Sequence, residues 1–414
     1  MSKTEDKRSF QQFRERFFID DPELVYLDGN SLGRLPIATI HTMREVVETQ
    51  WGRGLIRSWN DHWLGMVLRV RQKIAALIGA DVEEVLVADS TSVNLFKLVQ
   101  ACLSSGNGSG DVVTDNANFP SDLYILDGVC RRTESRARLK VVDVNSAELD
   151  QIEVQLLHSI TESTKLVVLS HVHYQSGYAY QLQNVNRVAR KVDAKVIWDV
   201  SHSIGAMPID VRASGCDMMV GCCYKYLNGG PGAPAFLYIR RELQSQLRNP
   251  IQGWFGAANP FAFSATYEPT LGIEQFAVGT PNVLSLAAIE PGVDLVLEAG
   301  IERIRQRSLE LTARLIEALD RLPREWGITI ASPRRASNRG SHVSIQHENA
   351  WQITQALIRD FNVIPDYREP SIIRFGITPL YTNEQEIDRA VEALRAILQE
   401  RIFLSYSPEK SGVT

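Results

Sequence analysis

The chain has 414 residues, 44% of them hydrophobic and 22% charged, with 27 Gly and 17 Pro; at about 150 residues per domain this is two or three ordinary globular domains and not a disordered chain. Lys and Arg number 44 against 49 Asp and Glu, a net charge of -5 that supplies no general attraction to nucleic acid or anionic lipid. The opening MSKTEDKRSFQQFRERFF mixes both charge signs without the apolar stretch of a secretory leader, and no run of about 18 apolar residues occurs, so a cytosolic address with neither nucleic-acid nor membrane partners is expected.

The first 50 residues are expected to lead into a large domain over 51–287 and to pack with a small one over 288–414. From about residue 82 to 240, short β-branched runs repeatedly precede helical ones: VEEVLVA, DVVTD, RLKVVDV, TKLVVLSHV, KVIWDV, MMVGC and AFLYI. Apolar runs without polar alternation suit strands covered on both faces, so the reading is an α/β fold with a mostly parallel sheet between helix layers. Beyond 288 the pattern becomes one long amphipathic helix over 293–322, short strands near 328 and 342, and helices near 351 and 384. That predicts a smaller α+β domain. The cysteines Cys102, Cys130, Cys216, Cys222 and Cys223 are odd in number and lack CxxC spacing, which fits reduced thiols better than a disulfide frame or a zinc site. Cys222 and Cys223 are expected to alternate on a strand.

Chemistry-bearing residues gather where the predicted strands end. In VLVADSTSVNLFKLVQ (85–100), Thr91 and Ser92 stand where a strand passes into a helix, whose free N–H groups suit a phosphate; Ser and Thr are also ordinary N-caps. NFPSDLY (118–124) offers an aromatic, Phe119, and an acid, Asp122, at a similar junction that a capped turn would equally explain. HVHYQSG (171–177) sets two histidines at strand spacing on one face, read as a pocket wall and not a metal site because no nearby carboxylate completes a ligand set. In KVIWDVSHSIGA (195–206), Asp199 ends a strand and His202 follows at one-turn spacing. Such an acid could hold a pyridoxal ring nitrogen protonated, or it could merely cap a helix. In MMVGCCYKYLNGGPGAPAFLYI (218–239), Lys225 lies between tyrosines, after an apolar strand and before a glycine turn. A bare ammonium there is costly to bury, whereas an imine to an aldehyde cofactor gives the lysine a use; a lysine snorkelling from a strand end is the plain alternative.

A hydroxyl-rich cup, an aromatic with an acid, a strand-terminal Asp and a later Lys occur in the order used by fold type I pyridoxal-phosphate enzymes, the aspartate-aminotransferase-like fold. YLDGNSLG (26–33), RSWN (57–60), NFPSDLY, WDVSHSIGA, YKYLNGGPG (224–232), GWFGA (253–257) and RFGITPLY (374–381) together resemble the kynureninase family over nearly the whole chain. The resemblance implies pyridoxal 5'-phosphate carried as an imine on Lys225, with Asp199 on the pyridinium nitrogen and Phe119 stacked on the ring. It implies further ring contacts from Asp122 and His202, and phosphate contacts from Thr91, Ser92 and Tyr224. Trp254 and Thr280 would reach the phosphate from the second subunit of a homodimer with shared active sites.

The resemblance also implies Arg374 on the substrate α-carboxylate, and Ser31 and Trp59 on the side that receives the aryl group. Lys225 and Tyr224 would move protons in the hydrolysis of L-kynurenine to anthranilate and L-alanine in tryptophan catabolism. Animal-type family members that prefer the 3-hydroxy substrate carry His at the position aligned with Trp59 and Ser-Asn at Gly279-Thr280, which tilts the expectation toward kynurenine itself and leaves 3-hydroxykynurenine open as a second substrate. An aminotransferase of the same fold is the alternative, and a cysteine desulfurase would need a reactive cysteine on a late loop where this chain has none after Cys223.

Overall fold

The computed structural model describes residues 10–105, 109–132, 136–145 and 148–410. An early strand, β1 (Val25–Tyr26), precedes seven strands of one sheet: β2 (Val85–Val87), β3 (Ser109–Asp115), β4 (Arg136–Val142), β5 (Thr164–Ser170), β6 (Lys195–Asp199), β7 (Met218–Gly221) and β8 (Phe236–Ile239). Their order is β2-β8-β7-β6-β5-β3-β4. Every pairing is parallel except those of β8, which is antiparallel to both β2 and β7. The sheet is therefore mostly parallel, as expected.

The apolar runs have a direct cause. Leu166 and Val168 of β5 pack into one core with Leu95, Leu98 and Leu126 from the helices Thr91–Ser104 and Pro120–Cys130. Val167 and Leu169 face the opposite core with Val70, Ile74 and Leu286 from the helices Leu64–Ile78 and Val283–Ala299. Alternate residues thus enter different apolar layers, so neither set can be polar.

The second sheet comprises β9 (Thr329–Ile330), β10 (His342–Gln346), β12 (Asp366–Arg368) and β13 (Ile372–Gly376), in the antiparallel order β12-β13-β10-β9, while β11 (Val363–Ile364) pairs in parallel with β1. Val343, Ile345, Ile373 and Phe375 form a core with Leu315, Leu357 and Leu394 of the helices Ile301–Asp320, Ala350–Phe361 and Glu384–Gln399. The N-terminal segment touches both bodies. Phe10, Phe13 and Phe17 enter the core of the large sheet, whereas Val25 and Leu27 enter that of the small one.

Three local expectations are corrected. The single helix over 293–322 is two helices, Val283–Ala299 and Ile301–Asp320, broken at Gly300 with φ 81 and ψ 125, a conformation that only glycine adopts without strain. Cys222 and Cys223 lie just past β7, both buried as apolar filler. The histidine face of HVHYQSG is turned the other way: Val172 and Tyr174 line the pocket described below. His171 packs edge-on to Trp198, and His173 packs against Tyr178 and Tyr180. The sequence read the alternation correctly but assigned its faces in reverse.

Candidate active site

Parallel strands gather their C-terminal ends on one edge, where open α/β sheets hold their ligands. Ser170 pairs with Asp199 at the ends of β5 and β6, and Asp199 pairs with Val220 near the end of β7. Four residues beyond β7 comes Lys225. These ends and the early turn at 30–31 enclose a cavity of about 200 Å³ lined by Ser31, Thr91, Ser92, Phe119, Asp122, Asp199, His202, Tyr224, Lys225 and Arg374. Ten of the thirteen residues expected to form the site therefore share one pocket.

At one end of the cavity, Thr91 and Ser92 open the helix Thr91–Ser104, capped by Ser90 through a bond from the Val93 amide at 3.3 Å. The preceding turn places Asp89 at φ 54, and the buried Lys97 ammonium holds its carboxylate at 2.8 Å while donating to the Phe276 carbonyl at 2.8 Å. This fixes the turn that leads into Thr91 and Ser92, which line the cavity. At its centre Lys225 Nζ lies 2.9 Å from His202 Nε2 and 5.9 Å from the centroid of Phe119. The Phe119 ring stands edge-on to Tyr174, 5.3 Å away.

The electrostatics of this half leave room for a cation and for hydrogen-bonding groups. Burial raises the Asp199 carboxyl above its ordinary range, against Ser201 and Lys225, which lower it. Asp122 is pushed well up by burial and by Asp199, and its buried Oδ2 has no hydrogen-bond partner. Burial, then Lys225, holds His202 well below its usual value and therefore neutral. Burial raises the Tyr224 phenol. A protonated heteroaromatic nitrogen against Asp199, a ring beside Phe119 and a phosphate at Thr91 and Ser92 match this donor and acceptor set, so the residues present fit pyridoxal phosphate.

The other end is basic. Arg374 is 1% exposed and donates to the Tyr174 carbonyl at 2.6 Å, to Asp366 and to the Ser31 hydroxyl at 3.1 Å. Ser31, expected on the aryl side, is thus tied to the guanidinium end. An isolated bridge from Asp28 to Gly376 holds the early turn here. Gly33 lets it close, since a Cβ there would fall 2.3 Å from the Lys225 carbonyl.

Trp59 does not line this cavity. Helical turns over 45–63 place it four residues before the buried Trp63, edge-on at 5.0 Å, and the Trp63 indole is fixed by Gln50. Trp254 and Thr280 also lie outside it, both exposed. The sequence reading passed over Asn30, Ser170, Tyr174, Ser201 and Arg368, which line the cavity too. Ser170 and Ser201 could have been found, because each stands at or just beyond the end of a predicted strand.

Fold and pocket together define a pyridoxal-phosphate enzyme of fold type I. A family model described as Aminotransferase class-V matches residues 25–360. Solved structures with similar folds include a cysteine desulfurase from Thermococcus onnurineus (TM-score 0.81, 19% identity, 94% of this chain and 98% of that one) and a lyase mutant with glycine covalently linked to its pyridoxal-phosphate cofactor (TM-score 0.78, 18% identity, 90% and 97%). Sequence relatives are nearer. The chain is 40% identical over 400 residues to a kynureninase of Pseudomonas fluorescens, covering 95% of this chain and 94% of the relative. A kynureninase of Burkholderia mallei is 37% identical over 390 residues, covering 93% and 91%. The chain belongs to the kynureninase family.

Proposed function

We propose that this enzyme hydrolyses L-kynurenine to anthranilate and L-alanine as a step of tryptophan catabolism. The observation that carries the reading is that a likeness spanning 95% of the chain coincides with one pocket holding Lys225, Asp199, the Thr91–Ser92 turn and Arg374. Pyridoxal phosphate bound through Lys225 supplies the electron sink that makes α-proton loss and Cβ–Cγ cleavage accessible.

The chain's own residues do the rest. Thr91, Ser92 and Tyr224 hold the phosphate, Asp199 keeps the ring nitrogen protonated, and Phe119, Asp122 and His202 fix the ring. Arg374 binds the α-carboxylate. Lys225 Nζ moves the proton at the α-carbon once freed, and the Tyr224 phenol donates and accepts at the γ-carbonyl as water adds.

The division into an N-terminal segment over 1–50, a large domain over 51–287 and a small domain over 288–414 belongs to the same proposal. So does a homodimer in which Trp254 and Thr280 complete the partner's phosphate site. An exposed aromatic cluster supports this, with Trp254 stacked on Phe263 and edge-on to Phe261, an apolar surface of the kind that association covers. A cytoplasmic address accords with five free thiols. Among the described residues no helix is long and apolar enough to cross a membrane.

The test is product analysis of the purified holoenzyme with L-kynurenine and no keto acid. Equal amounts of anthranilate and alanine are expected. Turnover that depends on an added keto acid and leaves the carbon skeleton whole would replace the hydrolase with an aminotransferase.

A further inference from the structure

Arg374 does not face the pocket alone. The pairing of β12 with β13 sets Asp366 opposite Arg374 and carries Arg368, two residues on, to the same cavity. Asp366 Oδ2 receives three donors: Arg374, Arg368 at 2.9 Å and the Ser31 hydroxyl at 2.6 Å. Arg368 also reaches Ser31 Oγ at 3.3 Å. Both guanidiniums have their terminal nitrogens engaged by protein oxygens, Arg368 through the Tyr367 carbonyl at 3.3 Å, Asp366 and Ser31, and each leaves a buried Nε without a partner. They differ in exposure: Arg374 is 1% exposed, whereas Arg368 keeps 30% of its side chain exposed toward the cavity it lines.

Charge points the same way. Burial opposes ionisation of Asp366, but Arg374 and Arg368 outweigh it and hold the carboxyl below its usual range. Burial and then Asp366 push the neighbouring Asp28 up to about 8, which leaves it neutral near pH 7. Two guanidiniums then face one carboxylate. An excess buried cation is costly until an anion joins it.

We propose that Arg368 is a specificity-determining residue that takes the substrate's α-carboxylate together with Arg374, held beside it by their shared Asp366 oxygen. This rests on the amino-acid substrate assigned above. The test uses the holoenzyme and two ligands of one skeleton: L-kynurenine, and kynuramine, which lacks the α-carboxylate. In Arg368→Met, KM for L-kynurenine should rise about tenfold or more with kcat within about threefold, while the inhibition constant of kynuramine stays within about twofold. An unchanged KM, or an equal loss for both ligands, overturns the proposal, the second because it signals general damage to the pocket.

If the Met variant does not fold, Arg368→Gln is read by the same criteria. If the unaltered enzyme forms no anthranilate, the functional reading fails while this inference is still decided, by whether Arg368→Met weakens L-alanine and spares ethylamine in a titration of cofactor absorbance. Weakening of L-alanine alone supports it; no change, or loss of both, overturns it.

Discussion

The two ends of the pocket are prepared by opposite means. At the cofactor end, Asp122 keeps a buried oxygen without a partner, and burial raises both Asp122 and Asp199. At the carboxylate end, Asp366 already binds two guanidiniums and a hydroxyl. The first end presents buried carboxylates that a cationic ring would join in the proposed complex, whereas the second already joins two guanidiniums through one carboxylate, with Arg374 Nε and Arg368 Nε still unpartnered. Loss of a group should therefore be catastrophic at the first end and graded at the second, because a buried charge left unpaired costs more than the loss of one donor among several.

The sharpest contrast comes from Asp199→Asn. A neutral amide of nearly the same shape cannot hold a ring nitrogen protonated, so kcat should fall about 10²- to 10³-fold with the fold intact by circular dichroism. Near-normal turnover would remove Asp199 from its place and erase the difference between the ends. Arg374→Lys is the matching change at the basic end. A point charge replaces a two-pronged donor while Arg368 and Ser31 remain, so KM should rise about tenfold to a hundredfold with cofactor absorbance unchanged. Steady-state kinetics beside the absorption spectrum separate the two effects.

The smallest effect concerns pH. Asp28 faces Asp366, Arg374, Arg368, Ser31, Tyr26 and Tyr381. Its carboxyl, raised to about 8 by burial and by Asp366, is neutral below that pH and ionises above it, adding a negative charge beside the guanidiniums. KM should therefore climb about threefold to tenfold between pH 7 and pH 9, and Asp28→Asn should flatten that limb. A climb that persists in the variant would assign the titration to another group.

The same contrast explains what the sequence made legible. The cofactor end is built from strand ends of the large sheet, where a run such as KVIWDVS carries its acid within a few residues of the strand that positions it, so local pattern could single out Asp199, Lys225, Thr91 and Ser92 as candidates, each beside a plain structural alternative, and the family likeness gave them roles. The basic end is assembled from residues 28–31 and 366–374, more than 300 positions apart. It is joined by short strands whose interrupted sequence, NVIPDYREPSIIRF, carries no alternation long enough to read. Arg374 was found only through a family likeness, and Arg368, Asp366 and Asp28 were not found at all. Trp59 lies outside this chain's cavity for a related reason: proximity in a motif says nothing about which way a helical turn points its side chain.

The central claim is that Lys225 carries the cofactor. Borohydride reduction of the yellow holoenzyme, followed by proteolysis and mass spectrometry, reads that bond directly, because reduction converts a labile attachment into a permanent one on whichever amine holds it. The pyridoxyl mass should appear on the peptide containing Tyr224 and Lys225, at about one group per chain. A reduced adduct on a different lysine, or no adduct from protein that retains its fold, would contradict it.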